Sequence, residues 1–222
     1  MEENACKKLC TQTTNDESLE AFLACRLIPF NKNPGIRPIG VGEVLRRIVG
    51  KVVVWSVKND IIKSVGSFQT CAGHDSGCEA TVHAMQRIYD DVNSEAVLLL
   101  DAANAFHLVS RNVFLNNIKV ICPSIATFVV NCYANPCRLF VLGGVELKSM
   151  EGTTQGDPSA MSIYALAIIP LLLMIIEMLA EECKSVKNAG FADDISAAGK
   201  LKSLRAWWDL LCEIGPKLGY FP

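Results

Sequence analysis

Net charge is almost absent from this sequence: 21 lysines and arginines face 23 aspartates and glutamates across 222 residues, leaving −2 with histidine neutral. That argues against a protein that holds a polyanion by overall positive charge. Histidine is scarce, and His74, His83 and His107 stand far apart. No partner pair of Cys or His follows Cys6-x3-Cys10 or Cys132-x4-Cys137 at zinc-finger spacing, so structural zinc is disfavoured. The ten cysteines repeat no spacing and no secretory signal opens the chain, which favours free intracellular thiols over a disulfide framework. Internal repeats and low-complexity tracts are missing. Two phosphate-binding patterns also fall short. Gly40-x-Gly42 has neither the third glycine nor the acidic partner of a dinucleotide fold, and Gly152-x3-Gly156 lacks the Gly-Lys-Ser/Thr of a P-loop.

What is present is a chain half apolar, enough to bury a sizeable core. Its charge is unevenly placed: between Arg26 and Lys63, eight basic residues face the two acids Glu43 and Asp60, so this segment is equipped to meet phosphates. Residues 1–20 are polar without apolar period and read as a loose lead-in. Val44, Leu45, Ile48, Val49, Val52 and Trp55 recur at helical spacing, with Arg46, Arg47 and Lys51 as an interleaved basic face. A second helix is expected over 79–89.

Residues 96–100 form a short apolar run ending in Asp101, the pattern of a buried central strand with a carboxylate at its exit. Ser110 can cap a helix over 112–119, and Pro123-Ser124 can open another to about Cys132. Gly143-Gly144 is a hairpin turn signal between 138–142 and 145–149. The apolar stretch 160–176 reads as a helix buried inside the protein, with a membrane span as second choice. In 190–197, short apolar pieces flank Asp193 and Asp194, as in a tight strand-turn-strand with the acids at the bend. A last helix carries Leu201, Leu204, Trp208 and Leu211 on one face. Gly215-Pro216 is expected to stop it, and Tyr220-Phe221 begins an apolar run without continuation.

Singly, Asp101, Asp193 and Asp194 are unremarkable turn or cap residues. Their apolar neighbours Leu98, Leu99, Leu100, Phe191 and Ala192 set them beside a core, where uncompensated negative charge is costly and a cation is the natural compensation. Magnesium needs only one or two protein carboxylates per ion, so three acids suffice for two ions. Two metals roughly 3.5–4 Å apart can stabilise the attacking and leaving oxygens of an in-line phosphoryl transfer.

With these residues in view, LLLDAANAF (98–106), EGTTQGDP (151–158) and FADD (191–194) resemble polymerase motifs A, B and C of reverse transcriptases, and GIRPIG (35–40) resembles the fingers motif of non-LTR and related retroelement enzymes. Order and spacing fit, and the resemblance runs from about Leu27 to Tyr220. It implies an α+β palm, with a small antiparallel sheet and packed helices, plus partial fingers: lead-in 1–20, fingers 21–95, palm 96–222, and a thumb expected beyond Pro222. It also implies two Mg2+ ions, with Mn2+ an alternative, held by Asp101, Asp193 and Asp194, and an RNA or DNA template with primer and deoxynucleoside triphosphates as partners. Phe106 matches the aromatic beneath the sugar of the incoming nucleotide, where a rigid ring leaves no volume for a 2′-hydroxyl. Gln155 and Gly156 match the motif B pair, and Arg37 and Lys32 match basic residues on the triphosphate. Asn104 and His107-Leu108-Val109 depart from the motif A pattern. Rival readings are an RNA-dependent RNA polymerase, against which Phe106 and Gln155 lean, and a non-catalytic retroelement remnant that keeps the fold as a nucleic-acid-binding or interaction protein.

Overall fold

A helix apolar on every side has to be surrounded, and the long apolar stretch becomes such a helix, Ala160–Met178, with Ile163, Ala165, Leu171, Leu172 and Ile175 fully buried. Each of these isoleucine and leucine side chains contributes about 1.5–3 kcal/mol by leaving water. By length and composition the helix could cross a membrane; here it is packed as the core helix, with most of its apolar window inside the protein.

The computed structural model describes residues 2–14 and 18–222. In chain order these form α1 (Glu2–Thr11), α2 (Ser18–Leu23), β1 (Cys25–Asn31), β2 (Ile36–Gly42), α3 (Val44–Ser56), α4 (Lys58–Val65), α5 (Gly77–Tyr89), β3 (Ala96–Asp101) and the short α6 (Ala105–Leu108). There follow α7 (Arg111–Ile121), α8 (Pro123–Tyr133), β4 (Cys137–Val141), β5 (Glu146–Ser149), α9 (Ala160–Met178), β6 (Lys187–Phe191), β7 (Asp194–Gly199) and α10 (Leu201–Leu218). Two sheets result: an antiparallel three-stranded one in the order β3-β7-β6, and a four-stranded one in the order β2-β1-β4-β5. In the second, β1 pairs with β4 in parallel, so the 137–149 hairpin joins the 25–42 hairpin. Helices α5 and α10 pack on the three-stranded sheet, and α9 lies against α4, α7 and α10. This is the α+β arrangement of small sheets and packed helices that the sequence implied.

Several expectations need correction. The expected central strand is an edge: β7 holds the middle, and Leu99 is 73% exposed while Leu98 and Leu100 pack inward. A continuous apolar run cannot by itself separate these cases. The expected loose lead-in contains α1, whose Leu9 is buried; the carbonyls of Leu9 and of Gln12, just after the helix, accept from the Asn131 amide on α8, and residues 1 and 15–17 lie outside the described residues. Helix α3 is turned relative to its apolar period. Val44, Ile48, Val52 and Trp55 face outward, and Arg46 and Gly50 face inward. Ser110 makes no side-chain cap on α7; the Glu151 carboxylate accepts the Arg111 N–H instead. Helix α10 continues through Pro216 to Leu218 and is capped by Gly219 at φ +82°. Tyr220 then folds back and is buried, and the Phe221 carbonyl accepts from Ala103 N–H.

Candidate active site

Strand register delivers the carboxylates. Asp101 pairs with Asp194 across β3 and β7, while Phe191 pairs with Asp194 across β6 and β7, which leaves Ala192-Asp193 as the two-residue turn. Ala192 takes φ +58°, a left-handed conformation unusual for a residue with a Cβ. Asp101 and the distant pair Asp193-Asp194 therefore stand at one end of a small sheet.

They open onto a cavity of about 570 Å³ whose wall also includes Lys32, Arg37, Phe106, His107 and Gln155. Lys32 and Arg37 come from the β1–β2 hairpin, where Lys32 N–H donates to the Gly35 carbonyl at 2.9 Å. Phe106, on α6, stacks on Tyr164 of α9, centroids 4.7 Å apart and planes 29° from parallel. The Gln155 carbonyl accepts from Gly40 N–H at 2.7 Å, tying the 151–158 loop to β2. Gly156 does not line the cavity. It sits at φ +105°, and a Cβ there would lie 2.6 Å from the Gly40 carbonyl oxygen, so the bare glycine admits a backbone-to-backbone approach.

The electrostatics are those of crowded negative charge. Partial burial, then the charges of Asp193 and Asp101, hold the Asp194 carboxyl above the usual range. Burial, followed by the charges of the three aspartates, raises the Tyr220 phenol, whose hydroxyl reaches the Asp193 carbonyl at 3.5 Å. Among the described residues, no cationic side chain forms an ion pair with any of the three acids. Nor is any group of three or more His, Cys, Asp or Glu close enough, as arranged, to hold a metal ion. The donor set fits a hard cation in kind, being all carboxylate oxygen beside uncompensated charge, although the three side chains do not close into a cluster.

Sequence reasoning missed the groups behind this wall. Arg46, read above as part of a basic surface, is buried in an ion pair with Asp157, their side chains 5% and 4% exposed. Tyr133 hydroxyl also donates to Asp157, at 2.9 Å. Burial is the largest single influence and opposes the Arg46 charge, but the Asp157 carboxylate together with Cys132, Tyr133 and Cys25 outweighs it and the guanidinium pKa is raised. Asp157 adjoins Gly156, so the pair anchors the Gln155 loop to α3. Arg111 is likewise buried, donating to the carbonyls of Ser149, Glu151 and Gly152 and so fixing the start of that loop. The one sequence signal was an acid two residues after Gln155; nothing local separated Arg46 from Arg47.

The fold is thus an α+β arrangement in which three carboxylates and two cationic side chains line one cavity, and known structures share this fold. The chain superposes on apo telomerase from Candida tropicalis truncated from its C-terminal domain, with TM-score 0.65, 12% identity, and coverage of 94% of this chain and 49% of that one. Telomerase from Candida albicans in complex with a TWJ fragment of telomeric RNA gives TM-score 0.69 at 10% identity, covering 99% of this chain and 44% of that one. The corresponding Candida tropicalis complex gives 0.64 at 12% identity, covering 91% and 40%. The chain therefore spans less than half the length of each, and at these identities the likeness shows a fold shared with these telomerases. No protein-family model matches the sequence, and no curated protein matches it.

Proposed function

We propose that this chain is the catalytic portion of a reverse transcriptase of non-LTR retroelement type, performing template-directed DNA synthesis. The observation that carries the reading is the convergence of Asp101, Asp193 and Asp194 with Lys32, Arg37, Phe106 and Gln155 on one cavity. Asp101, Asp193 and Asp194 would hold two Mg2+ ions, which when bound supply charge stabilisation for in-line attack of a primer 3′-hydroxyl on the nucleotide α-phosphate. Lys32 and Arg37 bind the triphosphate through charge-assisted hydrogen bonds and orient it toward the carboxylate end of the sheet. The Phe106 ring, backed by Tyr164, occupies the space a ribose 2′-hydroxyl would need and selects deoxynucleotides. Gln155, its backbone tied to β2, offers a side-chain amide to the nucleotide or template.

The telomerases that share the fold include two in complex with telomeric RNA, which supports a nucleic-acid template as partner. The test is primer extension on an RNA template with Mg2+. Asp193→Asn, nearly isosteric, is expected to abolish extension while melting within a few degrees of the parent. Near-parental activity in the folded variant refutes the assignment. A second reading, a catalytically silent relative that keeps the fold to bind nucleic acid, is favoured by the three carboxylates standing short of a closed ligand cluster. Template binding by the parent chain without any extension in either Mg2+ or Mn2+ decides for it.

A further inference from the structure

The turn that carries Asp193 is held from outside its own hairpin. Gln69, in the segment between α4 and α5, is 0% exposed. Its Oε1 accepts from Ala192 N–H at 3.1 Å, and its Nε2 donates to the Ala192 carbonyl at 2.9 Å. The main chain around it reinforces the grip. Gly190 N–H donates to the Phe68 carbonyl at 2.8 Å, Thr70 N–H donates to the Gly190 carbonyl at 2.9 Å, and Gln69 bridges Gly190 in parallel, so 68–70 acts as a rudimentary fourth strand beside β6. Gly190 makes this approach possible: a Cβ there would lie 2.5 Å from Gln69 Nε2.

A neutral side-chain amide is suited to this place because it donates and accepts at once, satisfying both peptide groups of Ala192. A buried amide serving packing alone would be outdone by an apolar side chain, which leaves no polar group to satisfy. The conformation it grips is the left-handed one of Ala192, which a residue with a Cβ keeps only where its surroundings impose it. Asp193 follows directly. Resting on the reading of these acids as metal ligands, we propose that Gln69 is a positioning residue: by fixing both peptide groups of Ala192 it holds Asp193 and Asp194 in the turn conformation that faces Asp101 across the cavity.

The test uses the whole chain with Mn2+ alone as probe, free ion being followed by electron paramagnetic resonance, together with amide hydrogen exchange over 190–195. The variants are Gln69→Met, similar in length but unable to bond either Ala192 group; Gln69→Glu, which keeps the acceptor and loses the donor; and Asn131→Leu, a control that removes another buried amide, bonded to the Leu9 and Gln12 carbonyls and not part of the cavity wall. Gln69→Met is expected to weaken Mn2+ binding by about tenfold or more and to speed exchange of the Ala192 amide by a similar factor. Gln69→Glu falls between it and the parent, and Asn131→Leu changes neither quantity.

Parental Mn2+ affinity in Gln69→Met, or parental exchange at Ala192, overturns the proposal. Should Gln69→Met fail to fold, Gly190→Ala, which intrudes on the same amide, is measured instead with the same expectations. Asp193→Asn separates the two levels of the argument. If the parent binds no Mn2+, or Asp193→Asn binds it as tightly as the parent, the metal-ligand reading fails, and exchange at Ala192 still decides whether Gln69 holds the turn.

Discussion

Asp194 stands across a strand ladder from Asp101 and immediately after Asp193, so its ionised form is opposed first by partial burial and then by both neighbours. Its folded pKa is raised above the ordinary 3.8. The folded state therefore holds the proton more tightly than the unfolded chain, and stability is lost as pH rises through the carboxylate range, the full loss being present above the folded value. Asp194→Asn should accordingly raise the Tm of the metal-free protein at pH 7 and leave it unchanged at pH 3, where both side chains are neutral. Adding Mg2+ at pH 7 should raise the Tm of the parent more than that of the variant. Thermal unfolding followed by circular dichroism at the two pH values checks the sign. Phe106 makes a second prediction at this scale. With its ring removed from above Tyr164, Phe106→Val should lower the preference for deoxy- over ribonucleotide by roughly 1–3 kcal/mol, or about tenfold or more in the ratio of kcat/KM values. An unchanged ratio would reduce Phe106 to a packing residue.

Helix α3 shows how an element can be found correctly and faced wrongly. Its apolar period predicts that Val44, Ile48, Val52 and Trp55 turn inward, yet Trp55 is 77% exposed and the inward face carries Arg46. The reason is electrostatic. Asp157 is buried in the loop that bears Gln155, and only a partnered cation makes that carboxylate tolerable there. Removing one partner leaves the other buried and unpaired, so Arg46→Met should destabilise by about 3–5 kcal/mol. Arg47→Ala, on the outward side, should change stability by no more than about 0.5 kcal/mol. The double variant Arg46→Met with Asp157→Leu should recover most of the loss, because the buried charge goes with its partner. Urea unfolding of all three variants tests this, and equal effects of Arg46→Met and Arg47→Ala would contradict the buried pair. The strand β3 is a related case: five apolar residues in a row suit a central strand, but its sheet neighbour is β7 alone, nearly a hundred positions away, and β6 pairs on the far side of β7.

For the molecule as a whole, the cavity exists because distant hairpins are brought together. The β1–β2 hairpin brings Lys32 and Arg37, the β6–β7 hairpin brings Asp193 and Asp194, and the parallel pairing of β1 with β4 ties the first of these to the middle of the chain. The even charge of the sequence hides this local arrangement of cations facing acids. Lys32 and Arg37 are both exposed at the cavity mouth. Template binding should be weak and fall steeply with salt, and each of Lys32→Ala and Arg37→Ala should reduce the slope of log affinity against log salt by about 1 if it meets a phosphate. Fluorescence anisotropy with a labelled oligonucleotide over a salt series measures the slopes, and parental slopes in both variants would remove these residues from the binding surface.

Sequence by itself determined the core helix over 160–176, the Gly143-Gly144 hairpin and the tight strand-turn-strand of 190–197, though the turn falls on Ala192-Asp193 and Asp194 already opens β7, because these depend on composition and on spacing within a few residues. It also marked eight candidate residues, seven of which line the cavity in the fold, because their types and order are themselves the signal. Only the tertiary structure decided which face of α3 is buried, that β3 lies at an edge, that Tyr220 returns to the carboxylates, and that Gln69 grips the Ala192 turn. Each of those depends on a partner more than twenty-five positions away, and a local pattern carries no information about a distant group that supplies the missing charge or hydrogen bond.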